Sequence, residues 1–392
     1  MIINEEVSFF ALVRCGLWGD CYASPCLNLS KKVNWEIIHK LSQEQSVIGI
    51  VLQGIEYYKN NLCDNLNNNI SKALMLQWIA EVQVIEQRNK RMDAFIADLI
   101  EKLRKYDIYA LLVKGQGVAQ CYEKPLWRTS GDVDLFLSDD NYNKAKFFLR
   151  PMATNVDEEG ISEKHLGMTI DNYIVELHGT LYGGLSKRVD NVLDDIKRDV
   201  FCGGKVRSWL NGNTHVFLLN ADDDAVYVFT HFLQHFYKGG IGLRQICDWC
   251  RLLWTYRDTL NHENLESRIR KMGLMSEWKA FGAFAIEYLG MPAEAMPFLN
   301  EKEKSSDARR IIDKCLKKKA DKICGFIMEV GNFGQNRDMS YYRKYPYVIR
   351  KAISAWWRMK DLCRHAMIFP LDSLRFSFSI MFNGFRSAVR GE

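Results

Sequence analysis

Arg128-Thr129-Ser130-Gly131-Asp132-Val133-Asp134-Leu135-Phe136-Leu137 is the stretch that decides the fold of this chain. Carboxylates alternate with apolar residues, so in a β-strand Asp132 and Asp134 share one face while Val133, Leu135 and Leu137 share the other. An acidic pair on an otherwise apolar strand is costly unless its charge is compensated. A divalent cation is the usual compensator, because hard oxygen ligands suit Mg²⁺ (or Mn²⁺) and the ion then holds a polyphosphate. Upstream, residues 108–113 read as a buried strand that runs into Lys114-Gly115-Gln116-Gly117. Downstream, Tyr173-Ile174-Val175-Glu176-Leu177-His178 reads as another strand, with Ile174, Glu176 and His178 on one face. Asp132, Asp134 and Glu176 thus form a candidate catalytic and metal-binding set. Three acids on a rigid sheet can hold two ions that stabilise both the attacking and the leaving oxygen of a displacement.

The rest of the composition sets bounds. A chain of 392 residues with 47% hydrophobic and 26% charged residues buries a large core and is not a disordered polymer. The net charge of +5 is unevenly placed: from Arg337 onward eleven Lys and Arg face four Asp and Glu. Eleven cysteines without a repeating spacing read as reduced thiols rather than a disulfide scaffold. The first residues carry Glu5 and Glu6 where a secretion signal would be positive, and no run reaches the ~18 apolar residues of a spanning helix. The expectation is a cytoplasmic protein.

Periodicity divides the chain into a helical region over 1–106, an α/β core over 107–219, a helical region over 220–330 and a basic aromatic tail over 331–392. In the first, Trp35 to Leu41 has helical spacing behind the cap residue Asn34, and an Asn-rich stretch over 62–69 precedes a long helix over 71–106. In the core, Asp139-Asp140 opens a helix stopped by Pro151, and residues 165–170 and 173–178 form a hairpin about Asp171-Asn172. From Ala221 the spacing is helical again. The fold class is α/β (α+β), a mixed-sheet core between helical terminal regions.

Other residues join the acids as candidates. Lys114, Gly115, Gln116 and Gly117 make a strand-to-helix turn whose backbone amides can approach phosphates, or serve as an ordinary turn. Lys114 and Arg128 are cations beside the acids, and Ser130 can cap the turn or contact phosphate. His178 shares a face with Glu176 and is a candidate substrate contact or a structural histidine. His231 and His235 are spaced i, i+4, but the residue after His231 is Phe232, which excludes the metalloprotease pattern; with Cys247 and Cys250 a zinc site is conceivable, though aromatic helix packing explains them better. The polar island 238–244, with Asp248, lines the far side of a cleft or is a flexible turn.

Val113-Lys114-Gly115, then Tyr122, then Arg128 to Leu135, then Val175-Glu176-Leu177-His178 resembles the uncharacterised bacterial nucleotidyltransferase family, within the nucleotidyltransferase superfamily. The resemblance implies a nucleotidyltransferase-like mixed sheet. It also implies Asp132, Asp134 and Glu176 as Mg²⁺ or Mn²⁺ ligands, and Lys114–Gly117 near a bound NTP such as ATP. The implied reaction moves a nucleoside monophosphate to a small-molecule, protein or RNA acceptor and releases pyrophosphate. Much of the superfamily has serine in the turn where this chain has Gln116. That difference keeps open a catalytically inactive nucleotide-binding or scaffold protein of the same fold. For the tail, RNA binding and anionic-membrane association stand beside packing on the body as a helical cap. The cap is the favoured expectation, with Trp356 and Trp357 buried. The oligomeric state is not legible.

Overall fold

Among the described residues, seven strands make one mixed sheet: β1 (Ala110–Val113), β2 (Val133–Leu137), β3 (Asn155–Val156), β4 (His165–Ile170), β5 (Tyr173–His178), β6 (Val206–Asn211) and β7 (Thr214–Leu219), in the order β3-β4-β5-β2-β1-β7-β6. The computed structural model describes residues 4–19, 33–61, 70–160, 164–299, 306–334, 336 and 344–376. The Asn-rich stretch 62–69 lies outside them. β2 runs antiparallel to β1 and parallel to β5, and β1 runs parallel to β7.

The alternation in β1 and β2 sorts side chains into two cores. Ala110, Leu112, Val133, Leu135 and Leu137 enter the smaller one, roofed by α4 (Lys72–Arg104) and α6 (Asp139–Leu149) through Met92, Ile96, Leu99, Tyr142 and Leu149. Leu111, Val113 and Phe136 enter the larger core on the other side. That core contains α1 (Asn4–Trp18), α2 (Trp35–Glu44), α3 (Ile48–Asn61), α7 (Lys187–Gly203), α8 (Ala221–Lys238), α9 (Leu243–Tyr256), α11 (Met275–Leu289, after α10 at His262–Met272) and α12 (Ser306–Val330). α4 belongs to both. Its first half gives Trp78 and Val82 to the larger core and its second half supplies the smaller one. At 33 residues it is about 50 Å long.

Local sequence explains the element ends. The Asn34 side chain accepts from the amides of Glu36 and Ile37, and Ser71 and Ser138 cap α4 and α6 in the same way. The β4–β5 turn needs two left-handed residues, and Asp171 (φ 49°) and Asn172 (φ 66°) are types that tolerate that region. The sequence reading contains neither α7 nor the β6–β7 hairpin. β6 is an edge strand whose side chains alternate between exposed and half-buried, so it carries little apolar periodicity. Between them Gly212 turns the chain at φ 61°.

At the C-terminus, α13 (Tyr347–Ile368, following α12 and the turn at 332–334) is anchored along one side. Asp361, His365, Ile368, Phe369 and Phe376 are buried, with His365 4.5 Å from the ring of Phe236 and Phe376 4.9 Å from that of Tyr237. The expectation that Trp356 and Trp357 are both buried needs correction: Trp356 is 68% exposed and Trp357 half-buried. At ~100° per residue, Trp356 falls opposite the side that carries Asp361 and His365. Among the described residues no helix is long and apolar enough to cross a membrane.

Candidate active site

Paired residues of neighbouring strands point to the same side of a sheet. The register sets Asp134 beside Val113 on β1 and beside Glu176 on β5, so both carboxylates emerge on the α8 side. Asp132 immediately precedes β2. Carboxylate oxygens of Asp132, Asp134 and Glu176 all lie within 4.8 Å of one another. The structure therefore brings the three acids together in one cleft of about 250 Å³ between the sheet and the helices α8 and α9.

Two histidines brace them. The Nε2 of His178 is 2.8 Å from Asp134 Oδ1 and 3.5 Å from Glu176 Oε2. The Nε2 of His165 is 3.2 Å from Glu176 Oε2. His165 has no site role in the sequence reading, yet a signal existed: counting back from the Asp171-Asn172 turn pairs residue 165 with 178, hence on one face.

Lys114 follows β1 with φ 56°, and Gly115 continues at φ 44°. A positive φ at lysine costs of order 1–3 kcal/mol. The turn it makes swings the ammonium back over the sheet, where Nζ donates to Asp134 Oδ1 at 2.8 Å and meets His231 Nε2 at 3.1 Å. Lys114 and Gly115 line the cleft. Gln116 turns away: its Nε2 donates to Asp93 Oδ1 at 2.6 Å, tying α5 (Gly115–Ala119) to α4. Gly117 packs on β7, where a Cβ would stand 2.8 Å from Leu218.

Arg128 is buried and clasps Asp248 of α9 with both Nε and Nη2 at 2.7 Å, while the Tyr122 hydroxyl donates to the same carboxylate at 2.8 Å. The Ser130 hydroxyl bonds Asn89 Oδ1. The Asn89 amide in turn donates to the carbonyls of Leu126 and Arg128, at 2.8 Å each. These bonds fasten the 126–131 loop between α4 and α9 and so fix where Asp132 begins. Opposite the acids, Arg244 donates from Nη1 to the Thr129 carbonyl at 2.8 Å. Its Nε and the Gln245 Oε1 are buried without a partner among the described residues, and both side chains line the cleft.

The electrostatics follow from these neighbours. The charge of Asp134, aided by burial, raises the Asp132 pKa. Burial pushes Asp134 upward, but Lys114 and His178 outweigh it and hold its carboxyl below the usual value. Hydrogen bonds from His165 and His178 hold Glu176 far below the carboxylate range. Burial opposes the His178 proton, yet bonds to Asp134 and Glu176 raise its pKa above the ordinary value. Burial and the Lys114 charge push His231 far down, so His231 is neutral and can accept from Lys114.

Three carboxylates on paired strands, with oxygens this close, are the donor set that Mg²⁺ or Mn²⁺ prefers. The residues present fit such an ion. Glu176 also converges with His165 and His178 in a second group of close donors. Cys247 and Cys250 sit buried in the aromatic core beneath α8.

A family model described as "Uncharacterised nucleotidyltransferase" matches residues 31–290. No curated protein and no solved structure matches the chain.

Proposed function

The chain belongs to the uncharacterised nucleotidyltransferase family, and from that premise we propose that it transfers a nucleoside monophosphate from an NTP to an acceptor, releasing pyrophosphate, with a divalent cation as cofactor. The observation that carries this reading is the convergence of Asp132, Asp134 and Glu176 in one cleft faced by cations.

In the reaction a bond forms between the acceptor heteroatom and the α-phosphorus, the bond to the bridging oxygen breaks, and the acceptor gives up a proton. Asp132, Asp134 and Glu176 would hold Mg²⁺ or Mn²⁺. The ion supplies charge neutralisation at the phosphate oxygens when bound. Lys114 stands at the sheet side of the cleft and Arg244 across from it, so a polyphosphate between them is neutralised from two directions. The unpartnered Nε of Arg244 has a hydrogen bond to give to such a group. His178 holds its proton at the junction of Asp134 and Glu176 and keeps both carboxylates oriented. Arg128 and Ser130 act from behind, positioning the loop that delivers Asp132. Gly115 allows the close approach of the backbone turn. Gln116, bonded to Asp93, leaves any contact from that turn to the backbone. The same Gln116 bond favours a second reading, a nucleotide-binding scaffold without turnover.

Thermal unfolding with NTP and Mg²⁺ tests the proposal. A ligand that binds only the folded state adds RT ln(1 + [L]/Kd), about 2.7 kcal/mol at a hundredfold excess over Kd. Wild type should show the shift only with both components, and Asp134→Ala or the isosteric Asp134→Asn should lose it. No shift at millimolar NTP removes nucleotide binding altogether. A shift without transfer of label from NTP to any component of a cell extract leaves the scaffold.

A further inference from the structure

A continuous apolar stripe runs along the solvent side of α13. Ile349, Ala352, Trp356, Met359, Cys363 and Met367 succeed one another at intervals of three or four residues and therefore share one face. All are exposed, Ile349 by 45%, Met359 by 48%, Met367 by 61% and Trp356 by 68%. Leu371, just beyond the helix, is 81% exposed. The buried Asp361, His365 and Ile368 occupy the opposite side, so the helix is already docked and the stripe is a second apolar face. Scattered apolar residues on a surface need no explanation, but a contiguous row of this length does.

The charge around the stripe says what covers it. Within 344–376, Lys344, Arg350, Lys351, Arg358, Lys360, Arg364 and Arg375 stand against Asp361 and Asp372 alone. Lys360 stands at one margin, 3.6 Å from Glu329 of α12, while the exposed Lys351 and Arg358 lie on the opposite flank, between the stripe and the docked side. Asp361 faces inward, so the exposed face of α13 carries no acid of its own; Glu329 of α12 pairs with Lys360 and Arg364 and leaves Lys351 and Arg358 as the cations beside the stripe. We infer that α13 is a peripheral membrane-docking helix that lies in the plane of an anionic lipid bilayer. Its side chains Ile349, Trp356, Met359 and Met367 enter the boundary between headgroups and acyl chains, and Lys351 and Arg358 extend to the lipid phosphates. The indole of Trp356 suits that boundary because one edge is apolar and the other carries an N–H. Two copies of the chain pairing through this face would bring basic margins against each other. Single-stranded RNA would be met by stacked rings, whereas the stripe is mainly aliphatic.

Co-sedimentation of the full chain with vesicles of phosphatidylcholine alone, and of phosphatidylcholine mixed with phosphatidylglycerol, tests the inference. The protein should pellet with the mixed vesicles, at least about tenfold less with the neutral ones, and progressively less as salt is raised. Trp356→Glu with Met359→Glu should abolish pelleting while leaving the melting temperature unchanged, since neither side chain is buried. Lys351→Glu with Arg358→Glu should weaken it without touching the apolar stripe. Wild type that ignores both vesicles overturns the inference, as does a stripe variant that still pellets. It is equally overturned if the stripe variant instead abolishes a concentration-dependent dimer or binding to a single-stranded RNA.

Discussion

The two sides of α8 handle buried charge in opposite ways. On the cleft side, His231 and its neighbours face Lys114, Asp134 and Glu176, and beyond them Arg128 meets Asp248; each deeply buried acid there has a cationic or histidine partner. On the other side, the Tyr237 hydroxyl bonds Glu277 of α11, which is fully buried and next to Asp372. Burial and Asp372 push the Glu277 pKa up to about 8. One side keeps Asp134 and Glu176 ionised by pairing them with Lys114 and the two histidines. The other keeps a carboxyl neutral, with no cation paired to it among the described residues. A paired, ionised acid can bind a metal, whereas a neutral one offers only hydrogen bonds, as donor and acceptor, so the chemistry sits on the paired side.

The largest effect expected from breaking this contrast is at Arg128. Arg128→Ala strands the Asp248 carboxylate in the interior and should lower unfolding free energy by about 3–5 kcal/mol. Arg128→Met with Asp248→Leu should recover most of that loss in urea unfolding. A single variant as stable as wild type would mean that the pair is dispensable.

A smaller effect of different sign belongs to Glu277. The folded chain keeps its proton up to a pKa of about 8, while an ordinary glutamate loses it near 4.5. This group's contribution is complete below the lower value and is lost as pH rises through the higher one, at up to about 1.4 kcal/mol per pH unit. Glu277→Gln should flatten that decline and exceed wild type by about 2 kcal/mol at alkaline pH. Parallel stability curves for the two proteins across the window would show Glu277 to be ionised in the fold.

The smallest effect sharpens the paired side. Asp132 carries a pKa raised by its neighbour Asp134. Asp132→Asn should therefore stabilise the ligand-free chain by up to about 1 kcal/mol, relieving repulsion at a functional site. It should also remove the stabilisation by NTP with Mg²⁺. A variant that is less stable without ligand would contradict the repulsion.

Much of the sheet was legible because its signals are local. Alternation in 132–137, the Asp171-Asn172 turn, the Asn34 cap and the Asp139-Asp140 helix start each act within a few residues, and the corresponding strands and helices form. The edge hairpin β6–β7 was not legible, because half of its outer strand faces solvent and carries no apolar code. In the site, the common face of Asp134 and Glu176 follows from strand period. The commitments of Arg128 to Asp248, 120 residues away, and of Lys114 to His231, 117 residues away, do not.

By itself, then, the sequence determined which residues are acidic, which face of each strand they take, and that α13 is amphipathic, since these depend only on helical and strand periods. Tertiary structure decided the rest. It set β5 beside β2 so that Glu176 meets Asp134, bound Ser130 and Gln116 to α4 instead of the cleft, brought Arg244 across from the acids, and turned Trp356 outward. The reason is range. Periodicity is written in neighbouring residues, whereas the partner that neutralises, orients or covers a side chain comes from wherever the packed chain places it.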